Sequence, residues 1–125
     1  MTVDKKRVIL IVDDEADFLR STSSRLKFEG YETVEAADGE EALMAMERVK
    51  PDLILLDIMM PKMTGVQLYE QLKKSPSTKD IPIIFLSVWD QLVPSGAKEL
   101  NHSSKYVPKP FDFQTLLAAI KTLVE

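Results

Sequence analysis

The chain has 125 residues, 45% hydrophobic and 29% charged, enough for one core-bearing domain spanning 1–125 and too few for two. Sixteen Lys and Arg against 20 Asp and Glu leave a formal net charge of −4, which argues against direct nucleic-acid contact by this chain, because phosphate binding needs a basic face. The absence of cysteine excludes disulfides, thiolate metal sites and cysteine nucleophiles together.

Val8–Val12 is a β-branched, unbroken apolar run, the pattern of a buried strand. It is too short for a signal sequence and runs into three acids. No later segment approaches membrane-span length, so the expectation is a cytoplasmic protein with no membrane partner. From Glu15 to Glu29, Leu19, Thr22 and Leu26 recur at helical spacing, and Gly30 is placed to end that helix. Tyr31–Ala36 is a second strand whose polar interleave suits a sheet edge. Asp38 followed by Glu41 is a capping-box variant opening a helix to about Val49, which Pro51 closes. Leu53–Asp57 is a third strand, apolar throughout until its last residue, and Gly65–Lys74 is helical with Leu68 and Leu72 on one face.

Asp80–Ser87 supplies a fourth strand, with Pro82 tolerable near its start. Trp89 to Lys105 should carry the fourth helix, but Pro94, Ser95 and Gly96 interrupt it. A short, late helix over Ala97–His102 is expected, with Gly96 weakening the first turn by roughly 1 kcal/mol relative to Ala. Tyr106–Pro108 is a short fifth strand, and Asp112 caps a final helix presenting Phe113, Leu116, Leu117, Ile120 and Val124 at helical spacing. Alternating β and α units imply a flavodoxin-like (βα)5 doubly wound parallel sheet of order 2-1-3-4-5, with an atypical fourth-helix region and right-handed crossovers.

That order brings the polar residues together. Asp13 and Asp14 follow strand one, Asp57 ends strand three, Ser87 ends strand four and Lys109 follows strand five. All lie at carboxyl ends of parallel strands, the edge at which open α/β sheets bind ligands. Three clustered carboxylates repel, and without a cation at least one pKa should rise. Oxygen donors with no His or Cys favour a hard ion such as Mg²⁺. A carboxylate beside Mg²⁺, a lysine and a hydroxyl is a plausible nucleophile for phosphoryl transfer.

The segments "ILIVDDE", "LILLDIMMPKMTG", the Ser87 that ends "IPIIFLS", and "YVPKPF" together give the chain its resemblance to the receiver domain of two-component response regulators. The likeness spans essentially its whole length and is of the chemotaxis-regulator type. It implies that Asp57 takes a phosphoryl group from a histidine kinase or phosphotransfer protein. It implies further that Asp14, Asp57 and the backbone carbonyl of Met59 hold Mg²⁺ (Mn²⁺ being an alternative), with Asp13 acting through water. Ser87 and Lys109 would contact phosphoryl oxygens, Tyr106 matches the switch aromatic, and Lys109-Pro110 matches a commonly cis peptide bond. Output would pass to a downstream protein partner or a missing output domain.

Two departures stand out. Val88 replaces the usual Ala or Gly after the switch hydroxyl and would narrow access to the site, and His102-Ser103 stands where receivers usually carry Gly-Ala. They favour, as one alternative, a degenerate receiver acting only as an interaction module. A second alternative, an aspartate-nucleophile phosphatase, lacks its second acid, because Met59 occupies that position. A turnover enzyme on an external substrate is not expected. A nucleotide-binding flavodoxin-like protein is disfavoured because no Gly-rich loop follows strand one. His102 reads as a loop residue, Trp89 as a partly buried aromatic, and Met59, Met60 and Met63 as adaptable packing.

Overall fold

The structure, a computed structural model, describes residues 6–60, 62–87, 104–109 and 111–124, with backbone alone at 87, 104 and 105. Five parallel strands form one sheet in the order β2-β1-β3-β4-β5. They are β1 (Val8–Val12), β2 (Glu32–Ala36), β3 (Leu53–Asp57), β4 (Ile83–Ser87) and β5 (Ser104–Pro108). The described helices are α1 (Ala16–Phe28), α2 (Gly39–Met46), α3 (Gly65–Lys74) and α4 (Phe113–Val124).

Successive side chains of a strand point to opposite faces, and the apolar runs of β1 and β3 therefore feed two cores. Leu10, Val12, Ile54, Leu56, Ile83 and Phe85 pack with Ala42, Leu68 and Leu72 from α2 and α3. Ile9, Ile11, Leu53, Leu55, Ile84 and Leu86 pack with Leu19 and Leu26 of α1 and Leu116, Leu117 and Ile120 of α4. β2 lies at the edge, with only Ala36 buried, which is why its sequence alternates with polar residues.

Local chemistry sets the boundaries. α1 ends in a Schellman motif: Gly30, at φ 100°, donates to the Lys27 carbonyl and Tyr31 to the Leu26 carbonyl. Asp38 accepts from the Glu41 amide as expected, whereas the Glu41 carboxylate reaches back to the Ala37 amide, one residue beyond the usual partner. α2 stops at Met46 rather than near Val49, because Glu47 and Arg48 switch to the tighter carbonyls of Met44 and Ala45. β4 starts at Ile83, three residues later than its sequence suggested. Ile81 bonds back to the Thr78 carbonyl, while Pro82 has no N–H and offers the ladder only its carbonyl, to Ile54. β5 starts earlier than its apolar residues indicate, since Ser104 and Lys105 pair with Ile83 and Ile84. The expected helix over 97–102, with Trp89, His102 and Ser103, lies outside the described residues.

The start of α3 carries a full capping box that the hydrophobic pattern does not reveal. The Thr64 hydroxyl accepts from the Gln67 amide at 3.1 Å, and the Gln67 side chain accepts from the Thr64 amide at 2.9 Å. Thr64→Ala should lower stability by about 1 kcal/mol, measured as a shift of the urea midpoint at constant m-value. An unchanged midpoint would show that the cap contributes nothing.

Candidate functional site

The site is assembled where β1, β3 and β5 run out. Asp13 is held by its own backbone, since its amide continues the ladder to the Ala36 carbonyl at 3.1 Å. One carboxylate oxygen accepts from the Glu15 amide at 2.9 Å, and the other accepts from Lys109 Nζ at 2.9 Å. The Asp13 side chain is fully buried and Asp14, the next residue, is exposed. Asp57 closes β3 opposite Leu86 and is 5% exposed. Each of Asp13, Asp14 and Asp57 offers a carboxylate oxygen, and these atoms lie within 4.8 Å of one another.

Lys109, one residue beyond β5, sets one positive charge into a repulsive cluster and offsets part of it. Its Nζ lies 3.7 Å from Asp57 Oδ1 and 3.8 Å from Glu15 Oε1 in addition to its bond with Asp13. The Phe18 ring faces the same ammonium, 4.3 Å from its centroid, and meets Phe111 edge-on at 5.9 Å.

The electrostatics follow from burial and like charge. Asp57 is pushed up to about 6, first by burial and then by the Asp13 charge, with Asp14 adding to the effect. Lys109 and the Met59 backbone N–H pull in the opposite direction without cancelling it. For Lys109, burial disfavours the ammonium, but the Asp13 hydrogen bond and the charges of Asp13, Asp57 and Glu15 outweigh it and lift its pKa.

The structure thus brings Asp13, Asp14, Asp57 and Lys109 into one cluster. Ser87 ends β4 beside them, placed by its backbone alone. Tyr106 stands further back, in β5 opposite Phe85, half-buried against the core on the α2–α3 side. Met59 is exposed. Val88 and Pro110, and with them the access and cis-peptide expectations, lie outside the described residues.

Three contributors are not evident from the sequence. Glu15 and Phe18 read there only as part of a helix, although an acid directly after the Asp13-Asp14 pair and an aromatic in the next turn are usable signals. The third is Gly65, whose amide donates to the Ile58 carbonyl at 2.9 Å. A Cβ there would overlap the Asp57 carbonyl oxygen and come within 2.8 Å of the Ile58 Cα. Both obstacles are backbone, so a side chain at 65 would displace the end of β3 itself.

A doubly wound parallel sheet with an acidic cluster and a lysine at its carboxyl edge defines a class, and comparison with known proteins identifies it. Residues 9–121 match the response regulator receiver domain, and the chain belongs to that family. It is 40% identical over 124 residues to "Probable transcriptional regulator ycf27" of Cyanophora paradoxa, covering 99% of this chain and 50% of that protein. It is 37% identical to "Response regulator MprA" of Mycobacterium leprae (strain TN), covering 93% of this chain and 50% of that protein. The chain therefore spans about half the length of the curated relatives it matches. Among solved structures, Vibrio cholerae chemotaxis protein CheY4 superposes with a TM-score of 0.84 at 30% identity, covering 95% of this chain and 99% of that one. Neither the phosphatase nor the degenerate-receiver alternative draws support from these matches. Among the described residues no helix is long and apolar enough to cross a membrane.

The raised pKa of Asp57 fixes the sign of a pH effect. The folded state holds this proton more tightly than an unfolded chain, whose value is near 3.8. The proton's contribution to stability is full below 3.8 and is lost as pH rises through about 6. Asp57→Asn should therefore gain stability relative to the wild type between those values, by up to ~3 kcal/mol, in chelator-treated protein unfolded with urea. A stability difference that does not change with pH would contradict the burial argument.

Proposed function

We propose that this receiver domain is a phosphoacceptor switch in which Asp57 takes a phosphoryl group from a histidine kinase or phosphotransfer protein. The observation that carries this reading is a buried strand-end carboxylate with a lysine ammonium at 3.7 Å and two further carboxylates near enough to share an ion. The donor set is all oxygen and suits a hard divalent cation, Mg²⁺ or Mn²⁺. Asp14, Asp57 and the Met59 backbone carbonyl would hold it, with Asp13 acting through water. When bound, the cation neutralises charge on the acceptor and on the incoming phosphoryl group.

An Asp57 carboxylate oxygen forms the new bond to phosphorus as the bond to the donor imidazole nitrogen breaks, the electron pair staying on the ring. Lys109 then bonds one phosphoryl oxygen and the Ser87 hydroxyl another. Movement of Ser87 toward the phosphoryl group changes the room available to Tyr106, which serves as the switch aromatic. A cis Lys109-Pro110 peptide would belong to the same reading, and Val88 would narrow the approach to Asp57. The phosphorylated state is favoured by these differential contacts, which shift an existing conformational equilibrium.

On this reading 1–125 is a single cytoplasmic receiver domain. It promotes its own phosphorylation and dephosphorylation and turns over no external substrate. Relatives named as regulators extend beyond the matched half, which supports output through an attached domain or a separate protein partner.

Incubation with acetyl phosphate and Mg²⁺ should add a labile mass of roughly 80 Da, one phosphoryl group, to the wild type and not to Asp57→Asn. Labelling of both proteins would remove Asp57 from its role. Mg²⁺ at a hundred times its Kd should stabilise the wild type by about 2.7 kcal/mol, and Asp14→Ala should lose most of that gain. Equal stabilisation of the two in thermal unfolding would place the cation elsewhere.

A further inference from the structure

Lys109 has three N–H donors, and the surroundings of its ammonium are uneven. Asp13 takes one at 2.9 Å, while Asp57 at 3.7 Å and Glu15 at 3.8 Å stand beyond ordinary hydrogen-bond length. A further neighbour is the face of the Phe18 ring, 4.3 Å from the nitrogen to the centroid. An aromatic face attracts the cation and accepts no strong hydrogen bond, so it occupies a side of the ammonium that water would otherwise solvate. The ring is itself fixed. It belongs to the first turn of α1, packs against the α1–α4 core and meets Phe111 at 5.9 Å with planes 82° apart. Phe111 is two residues after Lys109, so the chain that supplies the ammonium also braces the ring that faces it.

We propose that Phe18 is a positioning residue for phosphoryl transfer, holding the Lys109 ammonium short of solvent and within reach of the oxygens of an incoming phosphoryl group. The proposal rests on the phosphoacceptor reading and adds a residue to it. Without the ring, Lys109 has freedom to swing toward exposed Glu15 or into water, and it must be drawn back each time a phosphoryl group arrives. With the ring, a phosphoryl oxygen is the best new partner within reach of its unfilled donors.

Shape and quadrupole can be separated by experiment. Phe18→Leu removes the ring, Phe18→Tyr keeps it, and replacement of Phe18 by mono-, di- and trifluorophenylalanine weakens the cation–π attraction at nearly constant shape. The first readout needs no phosphoryl chemistry: the Lys109 ε-methylene protons should resonate upfield in the wild type and return to ordinary lysine values in Phe18→Leu. The second is the rate of labelling by acetyl phosphate at saturating Mg²⁺. It should fall roughly three- to tenfold in Phe18→Leu, recover in Phe18→Tyr and decline stepwise with fluorination, while the affinity for Mg²⁺ stays constant. An unshifted ε-methylene in the wild type would overturn the contact. Wild-type labelling rates in the trifluoro variant would overturn the positioning role, leaving Phe18 as packing alone. A wild type that takes no label while its ε-methylene is shifted would overturn the phosphoacceptor reading, and the role in transfer with it, while the ring contact would stand.

Discussion

Asp13 and Asp57 carry like charges, both are almost wholly removed from water, and each sits at the end of a strand that cannot retreat. Such a pair is eased by a cation built in among its oxygens or by a proton on one of them. Lys109 is that cation in the protein alone, bonded to Asp13 and close to Asp57. Its position depends on β5 lying beyond β4 in the sheet, so the charge balance of the site is a consequence of strand order. The polar edge and the apolar sheet are thus one construction. The register that fills both cores also decides which three acids meet which lysine.

The division of labour within the acidic cluster follows from its unequal exposure. Asp13 is fully buried, and its carboxylate accepts from Lys109 and from the Glu15 amide. Asp14 is exposed, and Asp57 is held with its pKa raised toward neutrality. The geometry therefore suits one acid as scaffold and the other two as the variable part of the site. A site of this kind keeps an excess of negative charge in reserve, which an added cation can relieve.

Much of this was legible in the sequence. β1, β3 and α3 fall where their apolar patterns put them, because a strand buried on both faces and a one-sided helix leave strong signatures. The convergence of Asp13, Asp14, Asp57 and Lys109 was also readable, since it needs only strand order and the position of each residue in its element. What failed was local or three-dimensional. The late start of β4 reflects competition from the Thr78 turn, and the early start of β5 reflects pairing of two polar residues that carry no apolar signal. The partner Lys109 bonds and the ring that faces it depend on approaches of a few ångströms between distant segments, and the crowding at Gly65 depends on how tightly the chain folds back after β3. No periodicity encodes them.

Gly65 shows how closely chemistry and architecture are joined here. The missing side chain lets the first residue of α3 rest directly on the carbonyl of Asp57 and the Cα of Ile58. The helix and the end of β3 consequently share a seam with no slack. A mutational scan selecting for folding and another selecting for signalling should both find position 65 intolerant, though the residue bears no functional group. Drift at this position is closed on both counts, whereas the side chain of Met59, two residues beyond Asp57, is turned outward.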